Sequence, residues 1–139
     1  FNLNVKAVFC LTKFAFDYMK NHSGGKIINI SAGNVKFGGS PNNLHNVASK
    51  AAVESLALAF AREGAKHNIL VNTIRPGLID TSVRFKLSGY SEEQYNKRIK
   101  LIPLQKAGKS NDIADMVVYL ASDAGNYITG QVIPVTGGE

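Results

Sequence analysis

Residues 44–63, LHNVASKAAVESLALAFARE, constrain the fold more than any other stretch of the chain. Most of their side chains are Ala, Val, Leu and Phe, mostly residues that favour helix, so the stretch predicts one long helix. A helix that is apolar on nearly all sides has to be covered by neighbours on more than one side. The stretch therefore predicts a helix packed inside a larger domain.

One lysine, Lys50, lies near the start of this helix and within its apolar run. Burial removes water from the ammonium group and disfavours its charged form, so a lysine in such a place suggests a function. The alternative is an exposed ion pair with Glu54, one turn later, although Lys before Glu is the weaker order for a helical pair.

The flanking sequence predicts a layered α/β domain. Apolar residues in residues 3–21 form two stripes at helical spacing, which predicts a helix with two covered faces. Two short runs rich in Ile and Val are typical of strands buried on both faces, and residues 75–77 are predicted to end the second of them. The predicted elements after the first helix are strand 26–31, helix 44–63, strand 70–74, helix 91–100 capped by Ser91, helix 111–122 capped by Ser110, and strand 131–135, an edge strand because of Pro134.

Strands that alternate with helices predict a parallel sheet with helices on both faces. Three strands are few for an open sheet, and the sequence begins with Phe1 directly before a helix. We therefore expect residues 1–139 to be the later part of one domain whose first half lies outside this sequence.

Composition limits the functional classes. The chain has 139 residues, 45% of them hydrophobic, and its apolar runs fall short of a membrane span. The single Cys10 excludes an internal disulfide and fits a reducing compartment, so we expect a cytoplasmic protein. The net charge of +6 is scattered, which argues against nucleic acid as a partner.

Ligands of open α/β sheets bind beyond the carboxyl ends of the strands, which here are Ser31–Ala32 and residues 76–81. The Pro-Gly turn of the second end lets backbone approach a flat ligand, although such pairs are also common in ordinary turns. The sequence has no glycine-rich phosphate loop and no nucleophile elbow, and its three His residues stand apart, so we predict no metal site.

Taken together, the segments resemble the C-terminal half of a classical short-chain dehydrogenase/reductase. The matching segments, in order, are 4–9 (NVKAVF), 25–31 (GKIINIS), 48–53 (ASKAAV), 71–77 (VNTIRPG) with Thr81, 113–123 (IADMVVYLASD) and 127–138 (YITGQVIPVTGG). The resemblance implies an α/β fold with a Rossmann-type doubly wound parallel sheet, of which this chain is the C-terminal portion without the glycine-rich half.

The resemblance also implies a reaction, the transfer of hydride between NAD or NADP and an alcohol or carbonyl substrate. Family members use a Tyr as general acid/base, a Lys four residues later, a Ser after the preceding strand and an Asn in the preceding helix. By motif, Asn4 matches the Asn and Lys50 matches the Lys. The implied cofactor contacts are Lys50, Ile30, Pro76, Gly77, Ile79 and Thr81.

Two positions depart from the family pattern. Asn46 stands at the Tyr position and Ala32 at the Ser position. An amide does not exchange protons near neutral pH, and loss of a general acid/base typically lowers the rate by about 100- to 10,000-fold. His45 and Ser31 are candidate stand-ins, but each is one residue away from the required position and is predicted to point elsewhere.

Three hypotheses follow: an oxidoreductase, a catalytically impaired cofactor-binding protein of the same fold, or a structural oligomer partner. The resemblance implies a homo-oligomer formed through helices 3–21 and 44–63. Residues 82–104 are expected to select the substrate, although a mobile surface segment would have the same composition. Its candidate contacts are Phe85, Tyr90, Tyr95 and Leu101.

Overall fold

The computed structural model describes residues 1–81 and 91–139. The described residues form four α-helices: α1 (Val8–Lys20), α2 (Leu44–Gly64), α3 (Glu92–Lys100) and α4 (Ser110–Ala121). They also form five strands: β1 (Gly25–Ile30), β2 (Ile69–Pro76), β3 (Ile79–Asp80), β4 (Gly108–Lys109) and β5 (Val132–Val135). The predicted elements therefore all exist, and two short strands were missed.

The main sheet is parallel, with the strand order β1-β2-β5. Strand β2 lies between the other two, pairing Ile27 with Val71 on one side and Ile74 with Ile133 on the other. The prediction that the Pro134 strand lies at an edge is confirmed within the described sheet. Strands β3 and β4 form a separate parallel pair.

The core lies between the sheet and helices α1 and α2. Phe16 of α1 and Ala57 of α2 pack against Ile69 and Val71, which share one face of β2 because they are two residues apart. Phe60 extends this contact, with its ring 5.3 Å from that of Phe16. Helix α4 also packs on β1 and β2. This arrangement of parallel strands and covering helices is the Rossmann-type α/β fold that the sequence predicts.

Helix 44–63 is found almost as predicted, but helix 3–21 is not uniform. Its first turns, Asn2–Ala7, are wound more widely as a π-helix, in which Lys6 N–H donates to the Phe1 carbonyl at 3.2 Å. Regular α-helix begins at Val8. The wide turn lies at the end of the helix that carries Asn4, one of the predicted site residues.

The second strand ends within residues 75–77 as predicted, but its boundary at residue 74 is wrong, because β2 continues through Arg75 to Pro76. Alternate backbone groups of β2 face opposite neighbours: Ile74 O accepts from Ser31 N, whereas Gly77 N donates to Val135 O. Pro76 therefore faces the β1 side at a point beyond the end of β1. Its missing N–H removes no ladder bond, so proline is tolerated there.

The two predicted N-caps have different outcomes. Ser91 caps α3 as expected, with its hydroxyl accepting from Gln94 N at 3.2 Å. Ser110 is not the cap of α4 but its first residue. Asp112 instead accepts from Lys109 N at 2.6 Å, and a carboxylate in the first turn is favourable at a helix N-terminus. Across residues 1–81 and 91–139, no helix is long and apolar enough to span a bilayer.

Candidate functional site

The carboxyl ends of β1 and β2 open onto a cavity of about 380 Å³. Two glycines allow the loops to meet there: a Cβ on Gly33 would lie 2.9 Å from the Pro76 carbonyl oxygen, and one on Gly77 would lie 2.7 Å from Thr136 Cα. The backbone is therefore closely packed at this edge of the sheet. The described residues that line the cavity are Ala32, Gly33, Asn34, Phe37, Gly39, Ser40, Asn43, Pro76, Gly77, Leu78, Arg98 and Glu139.

Lys50 lies beside this strand end. Its Nζ donates to the carbonyl oxygen of Ile30, the last residue of β1, at 2.9 Å. The alternative of an exposed ion pair with Glu54 is wrong, because the Glu54 carboxylate is held by Arg75 instead. An ammonium group has three N–H donors, so Lys50 keeps donor capacity beyond its bond to Ile30.

Glu54 links α2 to the carboxyl ends of β1 and β2. Its carboxylate accepts from Arg75 Nε at 2.7 Å and from Arg75 Nη2 at 2.6 Å, a two-point contact that suits guanidinium geometry. It also accepts from Ser31 Oγ at 2.5 Å. Hydrogen bonding to Glu54 is the main reason that the pKa of Arg75 is raised above its ordinary value. Ser31 and Arg75 adjoin the cavity loops, since Ser31 precedes Ala32 and Arg75 precedes Pro76.

Asn4 contacts the helix that carries Asn46. The Asn4 Nδ2 group donates to Asn46 Oδ1 and to Ser49 Oγ, both at 3.0 Å. The Ser49 hydroxyl donates its hydrogen to the Asn46 backbone carbonyl oxygen at 2.6 Å, so Ser49 Oγ accepts the hydrogen bond from Asn4. This fixes the orientation of the amides: the Asn4 atom is the nitrogen, and the Asn46 atom facing it is the oxygen. Asn46 thus joins the π-helical segment to α2.

The other predicted site residues take varied positions. Ala32 lines the cavity and presents a methyl group, and Pro76 and Gly77 line it as well. Ile79 lies instead in a neighbouring cavity of about 260 Å³. The candidate stand-ins do not line the cavity. Ser31 is buried and donates to the Glu54 carboxylate, and His45 is exposed near the start of α2.

The segment expected to select substrate is only partly described. Phe85 and Tyr90 lie outside the described residues. Tyr95 is buried, whereas Leu101 is 72% exposed, and neither lines the main cavity. Thr81 is exposed and is the last described residue before the gap.

Sequence reasoning missed Arg98 and Glu139. The two side chains form an ion pair at the cavity wall, with side-chain exposures of 32% and 9%. In the sequence, Arg98 belongs to a run with Lys97 and Lys100 that is typical of a solvated surface. Only the fold brings Arg98 against the carboxylate of Glu139, which is far from it in sequence. Within the described ranges, no three His, Cys, Asp or Glu residues cluster closely enough to hold a metal.

Comparison with known proteins identifies the family. The family model described as enoyl-(acyl carrier protein) reductase matches residues 1–139. The chain is 39% identical to 3-oxoacyl-[acyl-carrier-protein] reductase FabG of Thermotoga maritima, covering 99% of this chain and 54% of that protein. It is 34% identical to acetoacetyl-CoA reductase of Allochromatium vinosum, again covering 99% of this chain and 54% of the relative.

A solved structure has the same fold. A protein from Sinorhizobium meliloti 1021, described as a short-chain alcohol dehydrogenase, superposes with a TM-score of 0.88 at 36% identity. The match covers 96% of this chain and 52% of that one, so the chain spans about half the length of the proteins that it matches. The chain therefore belongs to the enoyl-(acyl carrier protein) reductase family of the short-chain dehydrogenases/reductases.

Proposed function

We propose that this chain belongs to an NAD(P)-dependent oxidoreductase that acts on an alcohol or carbonyl substrate. The proposal rests mainly on Lys50, whose Nζ lies at the end of β1 beside a cavity lined by Ala32, Pro76 and Gly77. Relatives named as 3-oxoacyl-[acyl-carrier-protein] reductase and acetoacetyl-CoA reductase favour an acyl compound with a ketone group as the substrate class.

The residues present fit the nicotinamide end of such a cofactor. The Lys50 ammonium has N–H donors left over after its bond to Ile30, and these suit the hydroxyl groups of a ribose. Gly77 has no side chain, so the turn after Pro76 lines the cavity with backbone atoms at this residue. When bound, NAD(P)H supplies the hydride. The chain's own task is to bind and orient, with Lys50 and the backbone of the Pro76–Gly77 turn doing both.

Proton transfer is the weak step of this proposal. Asn46 occupies the position where the resemblance places the general acid/base, and its amide is neither acidic nor basic near neutral pH. Its oxygen is already bonded to Asn4. Ala32 offers only a methyl group to a substrate oxygen in the cavity. We therefore expect slow turnover, about 100- to 10,000-fold below that of a member with an intact acid/base.

A second candidate function is a cofactor-binding or oligomer-partner protein with little or no turnover. It is favoured by the bond between Asn4 and Asn46, which gives the substituted side chain a structural role. It is also favoured by exposed apolar residues on α1, where Leu11, Phe14 and Tyr18 are 70%, 74% and 65% exposed. We propose that residues 3–21 and 44–63 form the contact of a homo-oligomer. We also propose a cytoplasmic location, which the single Cys10 supports.

A hydride-transfer assay separates the two candidates. The full-length protein is supplied with NADH or NADPH and a panel of ketones and 3-oxoacyl thioesters, and cofactor oxidation is followed by absorbance. Slow but protein-dependent turnover supports the oxidoreductase. No turnover by the natural protein, together with turnover in Asn46→Tyr/Ala32→Ser, would show that the fold is competent and that the natural residues have abolished the reaction. Cofactor binding without turnover would then support the second candidate.

A further inference from the structure

We propose that the cavity at the ends of β1 and β2 takes an uncharged carbonyl ligand, and that Glu139 is the residue that excludes carboxylate ligands from it. This deepens the proposed function and rests on it for the carbonyl class of the ligand. Neither the family nor the relatives' names assign a role to Glu139.

The argument starts from the charges on the cavity wall. Of the twelve described residues that line it, only Arg98 and Glu139 are ionisable. They are bonded to each other, and the Glu139 side chain is only 9% exposed. The Arg98 charge is therefore already neutralised, and an incoming anion finds no unpaired cation among the described residues of the wall.

The remaining polar groups on the wall are neutral. They are the amides of Asn34 and Asn43 and the hydroxyl of Ser40. The Asn43 Oδ1 atom accepts from Ser40 N at 2.7 Å, which leaves the Asn43 amide N–H groups as donors. Such donors can bond a carbonyl oxygen without a change in charge. The wall therefore suits a ketone, an ester or a thioester.

An ionised carboxyl group is disfavoured in the same place for two reasons. It would lose hydration, which is costly in a partly enclosed site, while Arg98, the cation among the described lining residues, is already bonded to Glu139. To bond Arg98, it would also have to displace the Glu139 carboxylate from that side chain. A feature that disfavours the wrong ligand is a common source of specificity.

The test compares two probes that differ in charge. Ethyl acetoacetate and acetoacetate share the 3-oxo group, but only acetoacetate is ionised at pH 7. Binding to the purified protein is measured by ligand-observed NMR titration without cofactor, so the result does not depend on turnover. We expect the natural protein to bind acetoacetate at least about tenfold more weakly than the ester.

Glu139→Gln frees Arg98 while keeping the side-chain shape, so we expect acetoacetate affinity to rise about tenfold and ester affinity to stay within about twofold. Glu93→Gln is the matched control, because it removes the same charge from an exposed pair with Lys97 on the same helix as Arg98. Arg98→Gln/Glu139→Gln should lose the gain. If Glu139→Gln does not fold, Arg98→Gln alone should weaken acetoacetate further, since it leaves Glu139 unpaired.

Three results overturn the proposal: equal binding of the two probes by the natural protein, equal effects of Glu139→Gln and Glu93→Gln, or no binding of either probe by any variant. The proposed function is judged separately by cofactor oxidation. Charge-selective binding without turnover would reject the oxidoreductase and keep the role of Glu139. Turnover without charge-selective binding would keep the oxidoreductase and reject the role of Glu139.

Discussion

Replacing Glu54 with Gln tests whether the contact between α2 and the carboxyl ends of β1 and β2 depends on charge. The natural carboxylate accepts hydrogen bonds from Arg75 Nε, Arg75 Nη2 and Ser31 Oγ. The glutamine has nearly the same size but no charge. Its amide nitrogen donates instead of accepting, so one of the donors that face it loses its partner.

The magnitude follows from burial. Hydrogen bonds to charged groups are worth about 1.5–3 kcal/mol each, and breaking a buried ion pair costs about 3–5 kcal/mol. The Arg75 side chain is 24% exposed and so regains some hydration, which places the loss toward the lower end. We expect Glu54→Gln to lower the free energy of unfolding by about 2–3 kcal/mol. In Glu54→Leu/Arg75→Met both charges are removed, and the loss should fall to about 1 kcal/mol or less.

Urea unfolding of the purified protein, followed by circular dichroism, measures these differences, with the slope against urea checked for constancy. Glu93→Gln is the control, since the exposed Glu93–Lys97 pair should contribute no more than about 0.5 kcal/mol. The reasoning fails if Glu54→Gln costs no more than Glu93→Gln. It also fails if the double variant is as unstable as Glu54→Gln, because the loss would then reflect packing and not an unpaired charge.

Two further predictions concern the first helix. Asn4→Leu removes the bonds to Asn46 Oδ1 and Ser49 Oγ, so we expect a loss of about 1–2 kcal/mol in urea unfolding, whereas Asn46→Asp keeps the acceptor for Asn4 and should cost less than about 0.5 kcal/mol. Equal losses in the two variants would contradict the hydrogen-bond direction that Ser49 sets. Phe14→Glu places a charge on a side chain that is 74% exposed on α1, and it should shift the protein toward monomer in sedimentation velocity. Leu101→Glu, at a 72% exposed position after α3, is the control, and an unchanged sedimentation profile for Phe14→Glu would remove α1 from the proposed contact.

The fold was largely predictable because its signals are local. Helix 44–63 and strands 26–31 and 70–74 carry strong apolar patterns, and their order alone indicates a parallel sheet. The errors lie at the ends of elements, which the apolar patterns do not set. The extension of β2 to Pro76 depends on β1 ending first, and the cap of α4 depends on the reach of Asp112.

The site was less predictable because its partners lie far apart in sequence. Lys50 was singled out from the sequence as a candidate site residue, but its bond to Ile30 and the separate pairing of Glu54 with Arg75 exist only once α2 lies across β1 and β2. Arg98 and Glu139 had no signal at all, since nothing in the sequence connects α3 with the last residues of the chain. The roles of Asn46 and Ala32 stay predictions until turnover is measured.

The central place of β2 has a consequence for the order of folding. Strands β1 and β2 pair across a shorter stretch of chain than β2 and β5, with Gly25 opposite Ile69 and α2 in the connection, so this unit can assemble first. The other edge of β2 waits for β5: Asn72 holds Gln131 N at 3.0 Å across 59 residues of chain. Contacts of such separation form slowly, because the chain loses conformational entropy in closing a long loop before the contacts can stabilise it. We expect β5 to join last, so that an apolar strand edge is open to other molecules while the chain folds.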